Sequence, residues 1–266
     1  MDLSEAARAL GVHYQTAYSW VRQGVLPARK VGRGYTLEDA DIAAFAARRQ
    51  AGREPAPDIR VRDWAAQAQG LYEAIVRGDE TTARHRVQRL ARGVGLTDLC
   101  EHVIGPALRR IGDDWATGAV TIAQEHRASA ICERLLAISA RQPPGRPRGT
   151  AVVATPAGER HGLPALMAAS CLREDRWLVH HLAADLPVAE VRWLAEQVGA
   201  SLVVFSAATP GTAELARQAA QSITASHPRL TVLAGGPGDS LSDLLARAGR
   251  ARAADSAGAA RQQNGD

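Results

Sequence analysis

Four short apolar runs constrain this chain more than any other feature: TAVVATP (150–156), WLVHHLAA (177–184), SLVVFSAA (201–208) and LTVLAGG (230–236). Each is rich in Val and Leu, and helical stretches at 164–174, 187–198 and 211–226 separate them. Buried strands that alternate with helices predict a parallel sheet covered on both faces. Ligands of such sheets bind where loops leave the carboxyl ends of the strands, at the point where strand order reverses.

The loop after the first run, PAGERHGLP, places Glu159 two residues before His161. A carboxylate at that spacing can hold an imidazole in one tautomer, as the partners of metal-bound histidines do. Ser206 ends the third run, and Gly235 and Gly236 end the fourth. All of them fall at the same sheet edge, where absent side chains let a ligand lie close to the backbone.

Upstream, residues 59–141 are helical throughout. Trp64, Ala68, Leu71 and Ile75 share one face, and Gly78-Asp79 ends that helix. Helices over ETTARHRVQRLARGV, GLTDLCEHVIGPALRRIGDDWATG and TIAQEHRASAICERLLAISA follow. Four helices with short connections predict an antiparallel bundle. Thr121 is placed to cap the last helix. On that helix Ala128, Ile131, Leu135 and Ile138 form the expected buried face, and Ile122, Glu125, His126, Ser129 and Glu133 fall on the other side. By periodicity alone that side is solvated. Trp115 and Ile122, however, put an aromatic and a branched aliphatic beside an acid, which suits a flat heteroaromatic ligand carrying a sugar hydroxyl.

The N-terminal stretch 1–48 reads as a third module. Leu3, Ala6, Ala7 and Leu10 repeat at helical spacing before the turn at Gly11. A second helix runs from Tyr14 to about Gln23, with Ala17, Trp20 and Val21 inward, and Gly24 stops it. LPARKVGRGYTL then predicts a hairpin with a basic tip, followed by a helix from Glu38. This is a winged helix-turn-helix layout, whose second helix enters the DNA major groove. The outward groups of that helix, His13, Gln15, Thr16, Ser19 and Arg22, include amide, hydroxyl and guanidinium functions that read base edges or hold phosphates. Arg29, Lys30, Arg33 and Tyr35 belong to the wing, set to face the DNA backbone. The net charge of +4 is compatible with such a partner and proves nothing by itself.

Residues 48–58 (RRQAGREPAPD) and 141–149 (RQPPGRPRG) lose periodicity and gain Pro, Gly and Arg, as linkers do. They bound modules at 1–48, 59–141 and 149–250. The stretch 251–266 is expected to be a disordered tail. No apolar run approaches the roughly 20 residues of a membrane span, no secretory layout opens the chain, and Cys100, Cys132 and Cys171 stand far apart. A cytoplasmic protein is expected.

Three resemblances follow from these residues. The string TAYSWVRQGVLPARKVGRGY, behind its helix and LGV turn, is similar to the DNA-binding domains of the MerR and excisionase family. The C-terminal module resembles the Rossmann-like (flavodoxin-like) cobalamin-binding domain, whose signature is Asp-x-His-x-x-Gly, Ser-x-Leu and Gly-Gly. Here Glu159 stands for the aspartate, Pro164 for the last glycine and Ala208 for the leucine, whereas Gly235-Gly236 is intact. A fifth strand, usual in that domain, is not evident. The order of all three modules resembles the CarH/LitR family of light-sensing, cobalamin-dependent transcription regulators. That family's bundle carries a Trp with Glu-His ten and eleven residues later, a spacing kept by Trp115, Glu125 and His126.

The resemblance implies that His161 is the lower axial ligand of the cobalamin cobalt. Glu159, Ser206, Gly235 and Gly236 would line its site, and Trp115, Ile122, Glu125 and His126 would cover the adenosyl group of adenosylcobalamin. It also implies a dark oligomer, a dimer or tetramer, that binds operator DNA and is released by light, with no substrate turnover. Some members have a histidine directly after the lid tryptophan; here Ala116 stands there, so no second histidine is expected to reach the metal from this position. Two other readings stay open. One is a regulator whose cobalamin-like domain takes a bilin, no cofactor or a partner protein. The other is a corrinoid carrier for methyl transfer.

Overall fold

The computed structural model describes residues 1–10, 12, 14–22, 26–31, 34–50, 63–140 and 143–250. The first linker falls mostly outside the described residues, and the expected tail at 251–266 lies wholly outside them. The chain forms two compact units, one containing the N-terminal helices and hairpin, the other the helical bundle and the large sheet.

In the first unit, helix α1 (Leu3–Ala9) begins where Asp2 accepts the backbone N–H groups of Ser4 and Glu5 and Glu5 bonds back to Asp2. This reciprocal cap satisfies amides that the helix cannot. Leu3, Ala6 and Ala7 are buried against α2 (Tyr14–Arg22), whose Ala17 is also buried. Strands β1 (Arg29–Val31) and β2 (Gly34–Thr36) pair antiparallel as a wing. Helix α3 (Asp39–Gln50) closes the core with Ile42 and Phe45, the latter 5.0 Å from the Trp20 ring. The winged helix-turn-helix read from the sequence is the observed architecture.

The bundle comprises α4 (Trp64–Arg77), α5 (Glu80–Leu90), a long third helix and α8 (Ile122–Ser139). The third helix runs as α6 (Leu96–Leu99), a wide π turn (Cys100–Ile104) and α7 (Gly105–Ala116). Pro106 explains the wide turn. A proline inside a helix lacks the N–H donor, and its ring strikes the carbonyl four residues back; adding a residue to the turn relieves both problems. The Gly105 N–H bonds the Cys100 carbonyl instead, and a Cβ at position 105 would come within 2.8 Å of that oxygen. Ala68, Leu71 and Ile75 of α4 are buried as expected. On α8, Ala128, Ile131 and Leu135 are buried, but Ile138 is 51% exposed, contrary to the sequence reading. At 3.6 residues per turn, Ile138 lies about 80° round the helix from Ala128. The buried stripe is instead completed by Cys132, Leu136 and Ser139.

The large sheet is parallel. Its strands β3 (Thr150–Ala154), β4 (Leu178–His181), β5 (Leu202–Ser206) and β6 (Thr231–Gly235) lie in the order β4-β3-β5-β6. Helices α9 (Gly162–Glu174), α10 (Val188–Gln197) and α11 (Pro210–Ser226) make the crossovers. Alternate side chains serve alternate faces. Ala151, Val153, Leu202 and Val204 meet α9 and Trp177; Val152, Ala154, Val203 and Phe205 meet α10 and α11. A last helical stretch, 241–250, follows the fourth strand, and the described residues contain no fifth. No helix among the described residues is long and apolar enough to cross a membrane.

Bundle and sheet domain share a core boundary, since α6 and α8 pack on α9. Two carboxylates cross it. Glu174, at the end of α9, accepts the Leu96 N–H at 2.9 Å, at the start of α6. Glu101, in the π turn, accepts the N–H and hydroxyl of Ser242 at 2.8 and 3.0 Å, at the start of the 241–250 helix. Each end of a helix leaves unmet amides, and here each domain meets those of the other.

The loop after β4 holds two non-glycine residues in the left-handed region, Ala183 (φ 59°) and Asp185 (φ 61°). Asp185 is repaid locally, because its carboxylate accepts the Gly158 N–H at 2.8 Å. Ala183 has no such side-chain compensation, and an alanine there is strained. Ala183→Gly is expected to stabilise the protein by roughly 0.5–1 kcal/mol, visible as a higher urea midpoint; an unchanged or lower midpoint would show that the strain is not borne at this residue.

Candidate functional site

The strand order reverses between β3 and β5, since the chain passes from β3 to β4 on one side and then to β5 on the other. The Glu159–His161 loop leaves β3 at that switch point. Its frame is built around the Thr155 hydroxyl and the backbone groups it meets. The Thr155 hydroxyl donates to the Glu159 carbonyl at 2.7 Å and accepts the Asp185 N–H at 2.8 Å. Asp185 N–H also reaches the Glu159 carbonyl at 3.0 Å.

Within this frame the Glu159 side chain is fully buried and fully used. Its Oε1 meets the His161 backbone N–H at 2.8 Å and His161 Nδ1 at 2.6 Å. Its Oε2 accepts the Ala208 N–H at 2.7 Å and the Thr212 hydroxyl at 2.5 Å. The carboxylate thus ties the β3 loop to the segment after β5 and to the first turn of α11, where the helix dipole favours an anion. Burial alone would push this carboxyl up; the bonds from Ala208, Thr212 and His161 outweigh it and hold the group below the usual range.

An ionised carboxylate only accepts, so Nδ1 of His161 carries a proton, and in the neutral ring the lone pair then lies on Nε2. The His161 side chain is 65% exposed, and among the described residues nothing bonds Nε2. An imidazole held through Nδ1 by a buried carboxylate, with the far nitrogen open, has the arrangement in which carboxylates support metal-binding histidines. No group of three or more His, Cys, Asp or Glu side chains that could hold a free ion exists among the described residues.

Ser206 and Gly235 are partners in the β5–β6 register, and the Ala207 N–H bonds the Gly235 carbonyl at 3.0 Å. Beside them a groove of about 320 Å³ is lined by Pro210, Ala213, Ala234, Gly235, Gly236 and Pro237, with Arg217 and Asp239 at its polar side. A Cβ on Gly236 would lie 3.0 Å from that of Ala213, so a side chain there would close the groove from within. Pro164 does not disturb α9. It sits at the third residue of the helix, where the missing N–H has no intrahelical partner anyway.

The sequence singled out Ser206 as the hydroxyl of this edge, but the hydroxyl that reaches Glu159 is that of Thr212. Thr212 and Ala208 escaped the sequence reading. The signal was the distance from β5: a threonine in the first turn of the following helix points back at the neighbouring loop.

In the bundle, Trp115 lies in the last turn of α7 and Ile122 begins α8; both are exposed, at 50% and 58%. Glu125 contacts the His126 ring through Nδ1 and accepts the Ser129 hydroxyl at 2.8 Å. Thr121 caps α8 in a reciprocal bond with Gln124. Among the described residues no hydrogen bond or ion pair joins Trp115, Ile122, Glu125 or His126 to Glu159 or His161.

In the first unit, Gln15, Thr16, Ser19 and Arg22 all lie on α2. Arg29 and Lys30 are exposed on β1. Tyr35 of β2 is half-buried, edge-on to Tyr18 at 6.1 Å between centroids. His13 and Arg33 lie outside the described residues.

A parallel sheet with a carboxylate-held imidazole at its switch point, joined to a helical bundle, is an arrangement that fits a cobalamin-type cofactor. The family comparisons agree. Residues 67–139 and 149–260 each match a family described as a B12 binding domain, and residues 1–50 match a helix-turn-helix domain. Together they support a DNA-binding plus cobalamin-binding architecture. Among solved structures, the chain is similar to the monomethylamine corrinoid protein of Methanosarcina barkeri, with 18% identity over 66% of this chain and 86% of that one and a TM-score of 0.52. It is also similar to a cobalamin-binding protein from Desulfitobacterium hafniense DCB-2, with 19% identity over 67% and 86% and a TM-score of 0.33. At such identity the first likeness bears on fold alone. No curated protein matches the chain.

Proposed function

We propose that the chain is a light-sensing transcriptional repressor that uses adenosylcobalamin as its chromophore and is not an enzyme. The observation that carries this reading is the Glu159–His161 pair, with Nδ1 bonded at 2.6 Å and Nε2 open, in a chain that also matches a helix-turn-helix domain. A single imidazole with no further protein ligands suits a cobalt ion that arrives already chelated by a corrin. When bound, adenosylcobalamin would supply a cobalt–carbon bond that light can break.

The chain's own residues do the rest. His161, oriented by Glu159, would hold the cobalt. The groove at Gly235 and Gly236, beside Ser206, accommodates the nucleotide tail. Trp115 and Ile122 give apolar cover to the upper group, and Glu125 and His126 meet its hydroxyls. Covering such a group would hold the bundle in one state and its loss would release the bundle, the two states differing in self-association. A dark dimer or tetramer presents several winged domains to one operator, so avidity makes repression tight. In this reading α2 serves the bases, and Arg29, Lys30 and Tyr35 of the hairpin serve the DNA backbone.

Size-exclusion chromatography with adenosylcobalamin tests this. A larger species in the dark that shrinks on illumination is expected; an elution volume indifferent to light overturns the reading. The fold is shared with a corrinoid protein, so a methyl-carrier role is the rival. A gel shift with upstream DNA separates the two, because a carrier gives none.

A further inference from the structure

Trp115 and Ile122 flank the turn between α7 and α8, and exposed side chains are placed only as firmly as the backbone beneath them. That backbone is clasped at Asp114. The Asp114 Oδ2 accepts the Tyr72 hydroxyl at 2.5 Å and lies 3.6 Å from Nε of Arg110. The Arg110 guanidinium stands 4.1 Å above the Tyr72 ring and also bonds Gln69. On its other side, the Asp114 carbonyl accepts the Val120 N–H at 3.0 Å and the Thr117 hydroxyl at 3.1 Å. One residue therefore ties α4 to the last turn of α7 and to the segment leading into the α8 cap. Val120 is buried beneath it.

Nothing in the packing of the bundle asks for this cluster. Tyr72 lies outside the buried α4 positions Ala68, Leu71, Ala74 and Ile75, and the α7 core is made by Ala107 and Ile111. A cation stacked on a tyrosine whose hydroxyl is spent on a carboxylate is a rigid arrangement. It sits directly before the indole in sequence.

We propose that Tyr72, Asp114 and Arg110 are positioning residues that set the α7–α8 turn, and so decide how well Trp115 and Ile122 discriminate the upper-face group of a bound corrinoid. The proposal rests on the lid role assigned to those two residues above. None of the three contacts the Glu159–His161 site, so their effect is confined to the part of binding that depends on the upper group.

Tyr72→Phe deletes one hydroxyl and keeps the ring under Arg110. The test titrates corrinoid-free full-length protein in the dark with adenosylcobalamin and, separately, hydroxocobalamin. The wild type is expected to prefer the adenosyl form. Y72F is expected to lose about tenfold of that preference, with hydroxocobalamin affinity unchanged, and Asp114→Asn to do the same. In the corrinoid-free protein, amides 114–122 of Y72F should exchange with solvent faster than in the wild type. A Y72F protein with wild-type preference, or one that loses both ligands equally, overturns the proposal while the cobalamin reading stands. A wild-type chain with no preference for the adenosyl form overturns the lid reading and the proposal with it.

Discussion

Replacing His161 with alanine is expected to reduce cobalamin affinity by at least about 100-fold, above the loss that follows from disturbing a ligand's supporting group. The fold should lose little. The ring is largely exposed and the His161 backbone N–H keeps its bond to Glu159, so the cost is confined to the Nδ1 bond on the buried carboxylate, about 1–2 kcal/mol. That separation makes the experiment decisive. Retention of corrinoid absorbance after gel filtration in the dark measures it, and a His161→Ala protein that keeps its colour removes the imidazole from the site.

Glu159→Ala should behave in the opposite way, damaging stability as well as uptake. It strips acceptors from the N–H groups of His161 and Ala208, the hydroxyl of Thr212 and the His161 ring. Buried donors left unmet cost about 1–3 kcal/mol each; with partial relaxation the total is expected at roughly 3 kcal/mol. Glu159→Gln should be little better, because both oxygens accept from N–H or O–H groups and an amide turns a donor toward one set in either orientation. The pH dependence carries a sign. The folded carboxyl lies below its ordinary range, so its contribution is complete above the unfolded value of about 4.3 and is lost as pH falls through the lower, folded value. The stability gap between wild type and Glu159→Ala should therefore be constant from neutrality to about pH 5 and shrink in more acid solution. Urea melts across that range check it, and a gap that widens in acid would mean the carboxylate is not stabilised by these bonds.

The sheet was legible because burial on both faces leaves a mark in every strand. Val152 and Val153 face opposite layers, and both must be apolar. The pair Glu159 and His161 was legible because two chemically matched groups lie two residues apart. Contacts set by tertiary approach left no such mark. Thr212 reaches Glu159 across 53 residues, Tyr72 reaches Asp114 across 42, and Ser242 reaches Glu101 across 141. The π turn could have been read from Gly105-Pro106 inside an apolar helix pattern, since proline there forbids a regular turn. Ile138 misled because its spacing from Leu135 fits a helix face, whereas which arc of α8 is covered depends on where α9 lies.

The exchange of helix-end carboxylates between the bundle and the sheet domain bears on how this protein can be dissected. A fragment ending before β3 would lack Glu174 at the start of α6, and one beginning there would lack Glu101 ahead of residues 241–250. Neither half is complete by itself, so recombination that preserved this fold would have to move bundle and sheet domain together as one cassette.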